Sequence, residues 1–209
     1  MLWVIGDIHG CLKPLEKLIL EISPTENDKL IFLGDYIDRG SDSKGVVDYL
    51  LELSKRANCV FLRGNHEQML LDVIENGDEP FLWFMNGAQA TWRSYGNLQN
   101  LSLNEEHIQF YRNTKYYHLE DRYLFVHAGI RPKIPLEKQD PRDLIWIREE
   151  FITKNHNIGY IVVFGHTPFQ DVFITDDKIG IDTGCVYGGK LTAYNLTLLK
   201  KVQVNCVDE

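Results

Sequence analysis

Asp7 and His9 stand two positions apart in Gly6-Asp7-Ile8-His9-Gly10, and Asp35, Asp38 and Arg39 crowd into "GDYIDRG". Further along come Arg63, Asn65 and His66 in "RGNHE", His127 in "HAG" and His166 in "GHTP". Carboxylate, amide oxygen and imidazole without thiolate suit borderline or hard divalent cations such as Mn²⁺, Fe²⁺ or Zn²⁺. Asp7, His9, Asp35, Asn65, His127 and His166 supply six such donors, more than one catalytic zinc with an open position takes from protein, so two cations fit the set better. Asp38 and His66 are candidates for an acid/base pair, and Arg39 and Arg63 offer guanidinium forks that match phosphate oxygens.

These groups must be brought together by the elements that precede them. Each cluster follows a short apolar run: Leu2–Ile5, Leu30–Leu33, Val60–Leu62, Tyr123–Val126 and Tyr160–Phe164, with a sixth, Ile179–Ile181, before "DTG". Runs of this length, rich in β-branched and aromatic residues and stopped by glycine, read as buried strands. Between the first of them, Leu12, Leu15, Leu18, Ile19 and Ile22 fall at helical spacing, as do Val46, Val47, Leu50, Leu51 and Leu53, then Met69, Leu70, Val73 and Ile74. Strand and helix in alternation imply a parallel α/β start. A helix-rich middle is expected from Glu79 to about Arg112, with "PFLWFMNGAQATWRSYG" as its apolar part, and one later helix in "DPRDLIWIREEF". Two stacked mixed sheets flanked by helices accommodate this order, and parallel strands gather their carboxyl ends, with the polar clusters, at one crevice.

At 209 residues the chain is expected to form a single domain, residues 1–209. A charged cluster at Asp7 leaves no room for a secretory leader, and no run approaches a membrane span, so the cytoplasm is the expected compartment. Four scattered cysteines, Cys11, Cys59, Cys185 and Cys206, form no CxxC pair and are expected to be reduced and mostly packing. A net charge of -8 argues against broad binding to nucleic acid, which needs a basic stripe. An anionic substrate must therefore be captured by local positive charge.

Taken singly, a strand-end Asp or His is more often a cap or a surface residue. Of the seven histidines, His9, His66, His127 and His166 sit where a strand run stops, while His107, His118 and His156 lie among polar residues and are expected to face solvent. Surface histidines have no reason to sort that way.

The ordered motifs "GDIHG", "GDYIDRG", "RGNHE", "HAG" and "GHTP" resemble the signature of the phosphoprotein phosphatases, dimetal Ser/Thr phosphatases among the calcineurin-like metallophosphoesterases. "LIWIREEF" and "IDTGCVYGGKLT" resemble the compact phage and bacterial members in particular, and the likeness runs from residue 6 to about 192. It implies a four-layer αββα sandwich with the metal site at strand carboxyl ends. It also implies one cation on Asp7, His9 and Asp35, and a second on Asp35, Asn65, His127 and His166, with Asp35 shared. His66 becomes the general acid, oriented by Asp38, and Arg39, Arg63 and Arg148 become the phosphate grip. Manganese is the first expectation for the metals, with iron or zinc as alternatives. A water shared by two such cations becomes hydroxide near neutral pH and attacks phosphorus in line, without a phosphoenzyme.

The expected substrate is a phosphoprotein or phosphopeptide, with no nucleic-acid or membrane partner; the sequence sets no oligomeric state. The first alternative is symmetrical hydrolysis of diadenosine tetraphosphate, disfavoured because binding two adenosines is expected to need added length. A phosphodiesterase or a catalytically silent module on the same fold ranks lower. "HEQML" lacks the second histidine of a zinc protease, and the sequons at Asn100 and Asn195 are chance matches without a secretory route. Trp83 and Trp92 are expected in helical core or as a cap over the cleft, and Tyr187 in its glycine-flanked loop is expected near substrate.

Overall fold

In the computed structural model, residues 1–96 and 101–207 are described; the Asn100 sequon and the helical expectation across 97–100 lie outside them. Among the described residues ten strands occur in chain order: β1 (Leu2–Ile5), β2 (Lys29–Phe32), β3 (Asn58–Phe61), β4 (Tyr117–Glu120), β5 (Tyr123–Val126), β6 (Ile161–Phe164), β7 (Phe173–Ile174), β8 (Lys178–Gly180), β9 (Lys190–Asn195) and β10 (Lys200–Asn205). The helices are α1 (Leu12–Ile22), α2 (Ser43–Ser54), α3 (Asn65–Leu71), α4 (Phe81–Met85), α5 (Ala88–Tyr95), α6 (Glu105–Arg112), α7 (Pro141–Trp146) and α8 (Glu149–Ile152).

One sheet has the order β10-β9-β1-β2-β3 and the other β4-β5-β6-β8-β7. In the first, β1, β2 and β3 run parallel, with Val4 opposite Ile31 and Ile31 opposite Val60. In the second, β5, β6 and β8 run parallel, with Phe125 opposite Val163 and Val163 opposite Ile179. The remaining pairs are antiparallel, so both sheets are mixed.

The period of two along each strand sorts its side chains between layers. Val4, Ile31, Phe125 and Val163 point into the apolar layer between the sheets. Their neighbours Trp3, Ile5, Leu30 and Phe32 turn to the outer layer under α1, α2 and α3, where Leu15, Leu18, Val46, Leu50 and Leu70 meet them. On the other outer face Leu124, Val126, Val162 and Phe164 pack with Leu144, Ile147 and Phe151 of the α7–α8 region. A strand apolar on both faces needs cover on both, and each fully buried Leu, Ile or Phe contributes about 1.5–3 kcal/mol. The result is the helix–sheet–sheet–helix sandwich that the strand order implies.

Three expectations are corrected. Cys185 and Cys206 are not reduced but joined in a disulfide across 21 positions, because β9 and β10 bring the turn Cys185–Tyr187 against the end of the last strand. His107 and His156 are buried rather than solvent-facing: His107 lies between the Tyr95 hydroxyl at 2.7 Å and Asp48 at 2.9 Å, and His156 contacts the Asp177 carbonyl at 3.0 Å and stacks on Phe151. The stretch "DPRDLIWIREEF" is two helices, broken at Ile147 and Arg148, whose backbone leaves helical geometry. Trp83 is buried, as helical core requires. No helix among the described residues is long and apolar enough to cross a membrane.

Candidate metal centre

The carboxyl ends of β1, β2, β5, β6 and β8 open on one side, and the chain leaves each through a tight turn. His9, Asp35, Asp38, Arg39 and His166 all adopt left-handed backbone angles, with φ of 47°, 52°, 73°, 68° and 64°. Each such residue costs on the order of 1–3 kcal/mol and persists only where its surroundings over-determine it. The surroundings here are hydrogen bonds between the turns: the N–H of His9 donates to the Asp35 carbonyl at 2.8 Å, Gly10 to Tyr36 at 2.8 Å, and Gly40 to His9 at 3.0 Å. Two glycines make room for the carboxylates, since a Cβ at Gly64 would strike Asp35 Oδ1 and one at Gly165 would strike Asp7 Oδ1.

Ligand atoms of His9, Asp35 and His66 lie within 4.8 Å of one another, as do those of Asp35, His127 and His166. Asp35 belongs to both groups. Its Oδ2 lies 3.4 Å from His9 Nε2, and its Oδ1 lies 3.4 Å from His127 Nε2. The same Oδ1 accepts the His66 N–H at 3.2 Å, so Asp35 also sits at the positive N-terminus of α3. Asn65 Oδ1 is 3.1 Å from His127 Nε2. Asp7 lies beside the cluster: its Oδ2 accepts the His166 N–H at 2.9 Å. The sequence-derived donors Asp7, His9, Asp35, Asn65, His127 and His166 thus come together, all buried.

Two imidazoles are fixed by backbone carbonyls: His9 Nδ1–H donates to Ile37 and His127 Nδ1–H to Leu33, both at 2.8 Å, which turns each Nε2 toward the cluster. Burial holds His9 and His166 well below the ordinary imidazole value, so their lone pairs are available. For His127 burial pulls downward, but the Asp35 carboxylate outweighs it and carries the group up to about 9. Asp35 is itself pushed up by burial and pulled further down by His127 and His66, and ends well below the usual carboxylate range. Burial and the adjacent Asp182 raise Asp7 well above it. A crowded anionic pocket of this kind gains from added positive charge.

The donors fit a pair of divalent cations on a second count. Asp7 Oδ1 and His166 Nε2 are buried without any hydrogen-bond partner, which is costly for polar atoms unless something else takes their lone pairs. His9 Nε2 accepts from Arg39 Nη1 at 2.5 Å, so a cation on His9 requires that guanidinium to swing outward.

His66 and Asp38 form a buried pair, Nδ1–H to Oδ2 at 2.6 Å, with His66 Nε2 3.8 Å from Asp35 Oδ2. Arg39 is half-buried at the mouth, its guanidinium 5.6 Å from the exposed Tyr187 ring. Arg148 is exposed, and its charge reaches His166 and Asp182. Arg63 is not brought to the cluster. Its guanidinium donates to the carbonyls of Tyr111, Arg112 and Thr114, to the Thr114 hydroxyl and to Gln68, and lies over the Tyr116 ring.

Sequence reasoning missed four supporting residues. Glu67 accepts the N–H groups of Asp35 and Gly64 at 2.9 Å and of Tyr36 at 2.8 Å. Trp83 and Thr91 both donate to Asp38. Asp182, raised to about 6 mainly by burial, faces Asp7 behind the cluster; its place after the β8 run was the signal that could have found it.

The model of the calcineurin-like phosphoesterases matches residues 1–207. The chain is 33% identical to serine/threonine-protein phosphatase 1 of Salmonella typhimurium, over 91% of this chain and 89% of that protein. It is 30% identical to the asymmetrical bis(5'-nucleosyl)-tetraphosphatase PrpE of Oceanobacillus iheyensis, over 91% of this chain and 86% of that protein. A crystal structure of a candidate diadenosine tetraphosphatase superposes with a TM-score of 0.75 at 24% identity, covering 100% of this chain and 94% of the other, which shows the shared fold. With strand-end donors, buried orphan atoms and a match over nearly its whole length, the chain belongs to the calcineurin-like phosphoesterases.

Proposed function

We propose that the protein is a manganese-dependent phosphomonoesterase acting on phosphoserine and phosphothreonine in proteins or peptides, with phosphotyrosine and small aryl phosphates also accepted. The observation that carries this is the buried His66–Asp38 pair with His66 Nε2 left unpartnered on the cluster side. A seryl or threonyl alkoxide is a poor leaving group, so a positioned acid contributes on the order of 10²- to 10⁴-fold. A nucleotide phosphate leaves with far less help, and a buried acid of this kind would be wasted on it.

Asp7, His9 and Asp35 would hold one cation and Asp35, Asn65, His127 and His166 the other; bound there, the pair supplies Lewis-acid activation of water and neutralises phosphoryl charge. Arg39 and Arg148 bind and orient the phosphoryl oxygens from the mouth. His66 gives the Nε2 proton to the leaving oxygen, and the Asp38 carboxylate at Nδ1 stabilises the imidazolium before that transfer.

The relative PrpE supports a second reading, asymmetrical dinucleoside tetraphosphate hydrolysis. This chain spans 86% of that protein, so no large added segment need separate the two activities, and length alone does not decide against it. Turnover of a phosphoserine peptide and of diadenosine tetraphosphate by the same Mn²⁺-loaded protein separates them. A higher kcat/KM for the peptide is expected; a large preference for the dinucleotide would reverse the order.

A further inference from the structure

The aromatic stretch "PFLWFMNGAQATWRSYG" forms α4 and α5. Two of its side chains turn inward onto one carboxylate. Trp83, 1% exposed, donates Nε1–H to Asp38 Oδ2 at 2.7 Å. Thr91, fully buried, donates its hydroxyl to Asp38 Oδ1 at 2.6 Å and accepts the Asp38 N–H at 3.0 Å. His66 Nδ1–H takes the remaining place on Oδ2 at 2.6 Å. Both oxygens are therefore filled, by three donors from three elements, and the carboxylate cannot rotate without breaking one of them.

Filling the core does not require this pairing. The indole N–H groups of Trp3 and Trp92 are buried with no hydrogen-bond partner, while that of Trp83 meets the one carboxylate that orients His66. Asp38 also holds a left-handed backbone, φ 73°, and the Thr91 and Ser43 hydroxyls that accept its N–H help to fix that conformation. Fixing the carboxylate fixes the His66 ring, with Nδ1–H on Asp38 and Nε2 toward the cluster.

We infer that Trp83 and Thr91 are positioning residues for the His66–Asp38 pair, so that α4 and α5 belong to the proton-donating machinery. The inference rests on the reading of His66 as the general acid, and the test separates the two. Trp83→Phe, Thr91→Val and Thr91→Ser are compared with His66→Asn on a phosphoserine peptide and on 4-nitrophenyl phosphate, with metal content and melting temperature measured on each sample. Trp83→Phe and Thr91→Val are expected to lower kcat on the peptide about tenfold and on the aryl phosphate at most about threefold, with KM and bound metal retained. Thr91→Ser, which keeps the hydroxyl, is expected to restore peptide turnover.

Equal losses on both substrates, or no loss, in the Trp83 and Thr91 variants would overturn the inference while His66→Asn still discriminates between the substrates. Equal losses in His66→Asn would overturn the acid reading, and the inference with it. Should Trp83→Phe fail to fold, the Thr91→Val and Thr91→Ser pair decides alone.

Discussion

Glu67 Oε2 accepts the Asp35 N–H at 2.9 Å, so a residue of the "RGNHE" turn sets the backbone of the carboxylate shared by both ligand groups. The same side chain takes the N–H groups of Gly64 and Tyr36, and it is fully buried. Glu67→Ala leaves three buried donors unmatched at roughly 1–3 kcal/mol each, so a loss of about 3 kcal/mol or more is expected in urea denaturation. Binding of Mn²⁺ should weaken in parallel, because Asp35 loses its alignment. A loss under about 1 kcal/mol would show that these bonds are dispensable.

Arg63 and Arg39 should part company. Arg63→Ala strips the C-terminal end of α6 of donors to three carbonyls, so a stability loss of about 1–3 kcal/mol is expected with KM for the phosphopeptide nearly unchanged. Arg39→Ala should raise KM with little effect on thermal stability. Steady-state kinetics and melting curves on both variants check the split, and a raised KM in Arg63→Ala would return that residue to the phosphate grip.

Asp182 predicts a pH dependence for the metal-free protein. Burial raises its folded value to about 6 from 3.8, so between those values the native state holds more protons than the unfolded chain. Stability therefore falls as pH rises from about 4 to 6. Asp182→Asn should flatten that part of a stability-against-pH curve. An unchanged curve would mean the Asp182 carboxyl titrates alike in both states.

The Cys185–Cys206 bond closes a loop of 21 positions, which corresponds to roughly 3 kcal/mol of stabilisation. Cys206→Ser should lower the melting temperature, and wild type in excess dithiothreitol should match it. Identical melting with and without reductant would show that the bond adds nothing.

The strand runs were readable because β-branched and aromatic segments stopped by glycine leave few alternatives, and Tyr123–Val126 has the same bounds in sequence and structure. The donors were readable because each follows such a run directly. Direction was not: the spacing of "RGNHE" does not say that Arg63 turns toward α6 while Asn65 and His66 turn inward. Burial of His107 and His156 depended on Asp48, Tyr95 and Asp177, all distant or neutral in the local pattern. The pairing of Cys185 with Cys206 depended on the β9–β10 hairpin, and Trp83 and Thr91 on a helix pair folding over Asp38.

On the proposed function, Asp35 joins two cation sites that together serve phosphomonoester hydrolysis. Metal content and phosphoserine-peptide turnover, measured on one Mn²⁺-reconstituted sample of wild type and of Asp35→Ala, test it most directly. Two Mn²⁺ per wild-type chain with turnover are expected, and loss of both ions and of turnover in the variant. Full turnover after exhaustive chelation, or an Asp35→Ala protein that keeps two ions, would contradict it.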